Sequence, residues 1–303
     1  MKIAYLITAY DNPVHLKRLV NAISTPGTWC FIHIDKKADI KKFFGLESVN
    51  VYVSKKRYRV YWGGFSFIRA ILLLIQQALD SPIKFDRFVL LSGADYPLHS
   101  VTYVEDFFRN NPNTEYIHLV ELPDPSGWNI MYRLTRYTPT PTNLVLVRFL
   151  QKGLRKLRII PRNRDYSKAL KGLVPYAGST WWALTRDACE YIVKFFKHER
   201  KIVKFFKHTQ IIDELIFHTI IGNSFFRQVV KPSLTYVDWS KERTHRAHPE
   251  LIGEKHVKFF TDNVIKPNIP EGMREYLFAR KFTDETQSIV DMIDQLIADR
   301  PGS

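Results

Sequence analysis

The chain has 303 residues, 45% of them hydrophobic and 14% aromatic, and carries 45 Lys and Arg against 30 Asp and Glu. That apolar content suffices for a large core in one α/β domain over residues 1–303, and no run of about 18 apolar residues exists to span a membrane. The formal net charge of +15 makes a field that draws anionic partners: nucleic acid, an anionic membrane or a phosphorylated substrate.

Residues 2–8 (KIAYLIT) read as a buried strand; no small-residue cleavage site follows, so they do not read as a secretion signal. Asn12 and Pro13 open a helix with His15, Leu16, Leu19, Val20 and Ile23 at helical spacing. Trp29 to Ile34 is a second strand that ends at Asp35, and Val49 to Val53 a third. Gly63, Gly64 and Ser66 lead into a long apolar helix to Leu79. Phe88 to Leu91 forms a fourth strand, ending in the loop Ser92-Gly93-Ala94-Asp95-Tyr96-Pro97. A helix capped by Ser100 and a strand from Tyr116 to Val120 complete a first half, 1–120.

This β-α-β-α rhythm predicts a mostly parallel central sheet flanked by helices. Ligands of such sheets bind beyond the carboxyl ends of the strands, where Asp35 and Asp95 fall. Residues 121–172 are less regular, with Pro123, Pro125, Pro139, Pro141 and Pro161, and read as a loop-rich basic insertion. Residues 173–282 form the remaining half, and Thr283 and Asp284 cap a last helix in 283–303 with Ile289, Ile293, Leu296 and Ile297 on one face. The segment IVKFFKH at 192–198 recurs at 202–208, which lengthens one helical region and is too short for a solenoid.

Neither the dinucleotide fingerprint nor the P-loop pattern occurs, and no His or Cys pair has zinc-like spacing. Asp-x-Asp, a common holder of Mg²⁺ or Mn²⁺ on a diphosphate, is also missing from the sequence. The strongest local signal is Asp213-Glu214 in HTQIIDELIFHTII. A helical Glu214 among Ile211, Ile212, Leu215 and Ile216 is expected to be desolvated and so a stronger base. Asp213 would leave the helix about 100° away and be dispensable. Composition alone equally allows Glu214 to be a surface acid.

The blocks IAYLITAYDNPVHLKRLVNAI, FIHIDKK, VYWGGFSFIRAIL, FVLLSGADYPLHS, GSTWWALTRDACEYIV, IIDELIFHTIIGNSFF, LTYVDWS and LFARKF run in this order through residues 3–282. In them the chain resembles the core-2/I-branching β-1,6-N-acetylglucosaminyltransferases and peptide O-xylosyltransferases, glycosyltransferase family 14. The resemblance implies a GT-A-type nucleotide-diphosphosugar transferase fold, inverting chemistry, a UDP-sugar co-substrate and no divalent metal or other cofactor. It implies Glu214 as catalytic base. Thr8, Ala9, Asp35, Tyr61 and Trp62 would surround the nucleotide, with Asp95 near the donor sugar. Lys281 would grip the diphosphate, aided by one of Lys241, Arg243 and Arg246, of which Arg243 is preferred. Trp181 and Trp182 would meet the acceptor, a glycan or peptide; core packing is the alternative for tandem Trp.

Cys30 and Cys189 lie in apolar stretches, which fits a reducing compartment and a cytoplasmic enzyme. Between Arg148 and Lys171 nine Lys or Arg face one acid, Asp165, with Leu146, Phe149, Leu150, Leu154 and Leu157 at helical spacing. Such a helix either packs its Leu stripe on the core, or lies on an anionic membrane at the inner face, or binds nucleic acid. The lack of a helix-turn-helix, zinc or RNA-binding signature argues against nucleic acid as the main partner. An inactive glycan-binding module on the same fold is the other alternative.

Overall fold

The computed structural model describes residues 1–125, 130–139, 149–150, 153–154, 156–157, 163–240, 248–263 and 275–299. Its strands are β1 (Ile3–Ala9), β2 (Thr28–Ile34), β3 (Val51–Val53), β4 (Arg87–Ser92), β5 (Asp95–Pro97), β6 (Glu115–Tyr116), β7 (Val120–Glu121), β8 (Tyr176–Ala177), β9 (Ala183–Thr185), β10 (Val230–Lys231), β11 (Thr235–Val237) and β12 (Phe278–Arg280). Seven form the central sheet in the order β10-β6-β9-β4-β1-β2-β3. The pairs β4-β1, β1-β2, β2-β3 and β10-β6 are parallel, and β9 runs antiparallel between β4 and β6. The mostly parallel α/β sheet that the rhythm of elements predicts is therefore present. Its far edge includes β9 and β10, which come from the second half of the chain.

β1 shows why the sheet is central. Ile3, Tyr5 and Ile7 enter one core, while Ala4 and Leu6 enter the other. Alternate side chains of a strand leave opposite faces, so a run apolar at every position needs helices on both. Helices Pro13–Ala22, Val101–Asn110 and Gln287–Ala298 cover the first face; Phe65–Leu79, Arg186–His198 and Ile216–Gly222 cover the second. In Phe65–Leu79 the buried Ile68, Ile71, Leu74, Ile75 and Ala78 follow the helical period.

Two local readings change. Asn12 starts its helix in a left-handed conformation (φ 54°) and makes no side-chain cap; its Oδ1 instead accepts from the Asp284 amide at 3.0 Å. Residues 211–222 are not one continuous helix. Ile211 takes φ 50°, Ile212–Glu214 is a single 3₁₀ turn, and the helix proper starts at Ile216. The duplicated segment does extend one helical region, as Arg186–His198 followed directly by Arg200–Phe206.

Candidate active site

The carboxyl ends of the parallel strands gather several of the singled-out residues. Thr8 pairs with His33 on β2 and Ser92 on β4, and the Asp35 amide donates to the Ala9 carbonyl at 2.8 Å. The buried Asp35 accepts from the Lys37 amide at 2.8 Å and faces Lys37 Nζ at 3.4 Å. Lys37 in turn lies 5.2 Å from the Tyr61 ring centroid. Tyr61 donates its amide to Ser66 Oγ at 2.9 Å, whereas Trp62 is 67% exposed on the rim. Gly63, with φ +63°, sets this turn; there an L side chain is strained and Ile211 leaves no room for one. The Gly63 carbonyl accepts from the Ile211 amide at 2.9 Å, which ties the Tyr61-Trp62 loop to the Ile212–Glu214 turn.

Asp95 is fully buried and accepts from the Ser92 amide and hydroxyl, at 2.8 and 2.5 Å. β12 runs antiparallel to β5 with Arg280 opposite Asp95, which brings Arg280 Nε to 3.6 Å from Asp95 Oδ1. The Arg280 guanidinium lies over the Trp181 ring, 4.1 Å from its centroid, and its Nε has no hydrogen-bond partner. Burial pushes this guanidinium down, although Asp95, Tyr10 and Asp213 oppose the shift. Burial likewise pushes the Asp95 carboxyl above the usual carboxylate range, with Arg280 and Ser92 acting the other way. A buried guanidinium nitrogen left without a hydrogen-bond partner is costly in isolation. Sequence reasoning passed over Arg280 in favour of its neighbour; its signal was the Arg in FARKF, opposite a buried Asp.

Lys281 follows at the end of β12, close enough to Asp11 to favour the ionised form of that acid against the effect of burial. The Lys281 carbonyl accepts from the Ile252 amide at 2.9 Å. Lys241, Arg243 and Arg246 lie outside the described residues. The ends of their segment are held beside β12: Asp238 follows β11, whose Val237 pairs with Arg280, and the Glu250 amide donates to the Asp238 carbonyl at 2.9 Å. Burial works against the Asp238 carboxylate, but the Ser240 amide, His256 and Lys255 hold it far below the usual carboxylate range. Asp238, Glu250 and His256 are of metal-ligating type and close together. Lys255 Nζ, 2.8 Å from Glu250 and 3.4 Å from Asp238, already serves them as the cation.

The carboxylate turn differs from expectation in its electrostatics. Glu214 sits on the 3₁₀ turn and not in a helix; its side chain is partly buried, 25% exposed, and its Oε2 accepts from Arg133 at 2.6 Å. Burial alone would push the Arg133 guanidinium down, but the Glu214 carboxylate beside it holds it above its ordinary value. The desolvated acid is Asp213. Burial raises it despite the hydrogen bond that Thr180 donates to Asp213 Oδ2 at 2.8 Å, and Asp213 Oδ1 is buried without a partner. Asp213 is thus part of the wall behind the site, between Thr180 and Arg280. Gly178 donates its amide to the Glu214 carbonyl at 3.0 Å and fixes the turn from the other side.

The tandem Trp residues are both buried in one core, the packing alternative of the sequence reading. Trp182 is in the core, edge-on to Phe217 at 5.9 Å, so it cannot meet an acceptor. Trp181 remains in the wall of the site under Arg280. Both side chains enter the same core, and only Trp181 also touches Arg280. From Asp95 through Arg280, Trp181, Thr180 and Asp213, a continuous set of contacts leads to Glu214. Arg280 and the turn that carries Glu214 are thereby tied together.

The family model described as Core-2/I-Branching enzyme matches residues 3–261. The chain belongs to this family. Relatives of known description are glycosyltransferases. Xylosyltransferase oxt of Drosophila melanogaster is 29% identical over 122 residues, 39% of this chain and 14% of that protein. The human "Probable beta-1,3-galactosyl-O-glycosyl-glycoprotein beta-1,6-N-acetylglucosaminyltransferase 7" is 26% identical over 201 residues, 63% of this chain and 43% of its own length. Human Xylosyltransferase 2 is 26% identical over 223 residues, 64% of this chain and 21% of the relative. The chain thus spans less than half the length of each of these core-2/I-branching relatives.

Proposed function

We propose that this protein is an inverting, metal-independent glycosyltransferase. It moves GlcNAc or xylose from the UDP-sugar to a hydroxyl of a glycan or peptide acceptor. The observation that supports this reading is Arg280 of β12, beside Asp95, joined through Trp181, Thr180 and Asp213 to the turn that carries Glu214. The acceptor hydroxyl, with a pKa far above 7, gives its proton to Glu214 as its oxygen bonds to the anomeric carbon. The bond from that carbon to the UDP oxygen breaks on the opposite side, which inverts the configuration. Arg133 holds the carboxylate in place, so little reorganisation is needed when the hydroxyl arrives.

Negative charge accumulates on the departing UDP. Fixed cations pre-aimed at the diphosphate meet that charge without moving. Arg280, largely buried and with its Nε unpartnered, together with Lys281, supports this role. Asp35, Thr8, Ala9 and Tyr61 would hold the nucleoside, Trp62 would fold over it, and Asp95 and Trp181 would border the sugar and acceptor.

The test is a panel of nucleotide sugars, UDP-GlcNAc and UDP-xylose first, assayed for turnover with excess EDTA and then with added Mn²⁺. Transfer is expected to persist in EDTA; loss in EDTA with recovery in Mn²⁺ would overturn the metal-free mechanism. Glu214→Gln is expected to lower turnover by about 10²–10⁴ while UDP binds as before. Wild-type turnover in that variant would remove Glu214 from the chemistry.

A further inference from the structure

The duplicated IVKFFKH segment has no part in the site described above. In both copies the isoleucine is buried, Ile192 in one and Ile202 in the other, while the lysines lie outside. Lys194 and Lys197 of the first copy, Lys204 and Lys207 of the second, and Arg200 and Lys201 between them are all exposed. The acid among them, Glu199, is engaged by Lys171 at 3.0 Å. Copying the segment has therefore doubled a row of outward cations along Arg186–His198 and Arg200–Phe206.

Arg164, toward the end of a second basic segment, meets the second of these helices. Arg164 donates to the Phe205 carbonyl at 2.8 Å, and the Thr138 amide donates to the His208 carbonyl at 2.9 Å. In sequence, residues 148–171 carry nine Lys or Arg and one acid. The Leu stripe of this segment does not go into the core where it is described. Leu150, Leu154 and Leu157 are 57%, 38% and 70% exposed.

We infer that this surface docks on an anionic lipid bilayer, through the cations of the duplicated helices and the leucines of the 148–171 segment. Cations alone would fit any polyanion. Leucines set among them fit a bilayer, which accepts cations at its headgroups and apolar side chains just beneath. A soluble polyanion would leave Leu150, Leu154 and Leu157 in water. The surface adjoins the site, since Arg164 also donates to the Arg133 carbonyl at 3.0 Å and Arg133 holds Glu214. The inference does not depend on the donor or on the reaction.

The experiment is co-sedimentation of the full chain with vesicles of phosphatidylcholine alone or mixed with phosphatidylglycerol. Binding is expected on the mixed vesicles and not on the neutral ones, with release at about 0.5 M salt, where screening is short-ranged. The variant Lys194→Gln/Lys197→Gln/Lys204→Gln/Lys207→Gln is expected to lose about tenfold or more in partition. Leu150→Ser/Leu154→Ser/Leu157→Ser is expected to weaken vesicle binding while leaving binding to heparin unchanged. All substituted side chains are exposed, and an unchanged melting temperature checks that each variant is folded. Equal binding to neutral and anionic vesicles, or full binding by the lysine variant, would overturn the proposal. So would full vesicle binding by the leucine variant, which would reduce the surface to a polyanion site.

Discussion

Arg280 and Lys281 adjoin in sequence but differ in physical situation. Arg280 lies largely buried on Trp181 beside Asp95, and Lys281 lies at the strand end near Asp11. If both meet the diphosphate, Lys281→Ala and Arg280→Gln each remove a charge-assisted contact present in ground and transition states alike. UDP affinity and transfer rate are then expected to fall together, by about 10- to 150-fold each. Calorimetry with UDP and initial rates check this; UDP binding at wild-type strength in Arg280→Gln would make its role structural. Lysine is no substitute at 280, because a point ammonium cannot lie flat on the Trp181 ring. The sequence marked Glu214 through its apolar neighbours, but the continuous helix read from them is absent. Those neighbours belong to the elements on either side of a turn, and the left-handed Ile211 that makes the turn carries no glycine signal. Arg133, 81 residues from Glu214, could not be read at all, because nothing local announces a partner made by tertiary packing.

Among the elements, legibility follows length. β1, β2, β4 and helix Phe65–Leu79 were readable because each shows several turns or alternations of apolar pattern. β5, β8, β9, β11 and β12 have two or three residues, too few for any period. Yet β5 and β12 place Asp95 against Arg280, so the part of the site least visible in the sequence rests on the shortest strands. The link from β8 to β9 is tight for a stated reason. A Cβ on Gly178 would lie 1.8 Å from the His118 carbonyl oxygen, a backbone atom that cannot swing away. Gly178→Ala is therefore expected to lower the melting temperature by about 5–10 °C, as overpacking against main chain does. It should also slow turnover, because the Gly178 amide holds the Glu214 carbonyl. An unshifted melting curve would show that the link can yield.

For the molecule as a whole, burial of histidines sets part of the response to acid. His33 accepts from the Tyr58 amide at 2.9 Å, and burial pushes it down to about 4 despite the nearby Asp35. His218 is pushed down to about 3 by burial, although its bond to the Ser179 carbonyl works the other way. Such groups bind protons in the unfolded chain before the folded one. Their contribution to stability is present above about pH 6.5 and is lost as pH falls toward their folded values. Asp95 and Asp213, raised by burial, act in the opposite sense, so the effect of one histidine is best read as a difference. His33→Gln, which keeps an acceptor for Tyr58, is expected to melt below wild type at pH 7. The gap should close by pH 4, and a constant gap between pH 7 and pH 4 would refute this assignment.

The bond from the Ile211 amide to the Gly63 carbonyl joins the loop of Tyr61 and Trp62 to the turn that ends in Glu214. On the proposed function, a nucleotide that settles the loop would also settle Glu214, with no contact between the two. The proposed cleft would then be assembled in order, donor first and acceptor second, an ordered commitment that would spare the sugar from water. Hydrogen exchange gives the direct reading: UDP should slow exchange of the amides at 211–214 as well as those at 61–64. Protection confined to the loop would mean that the two halves of the cleft close independently.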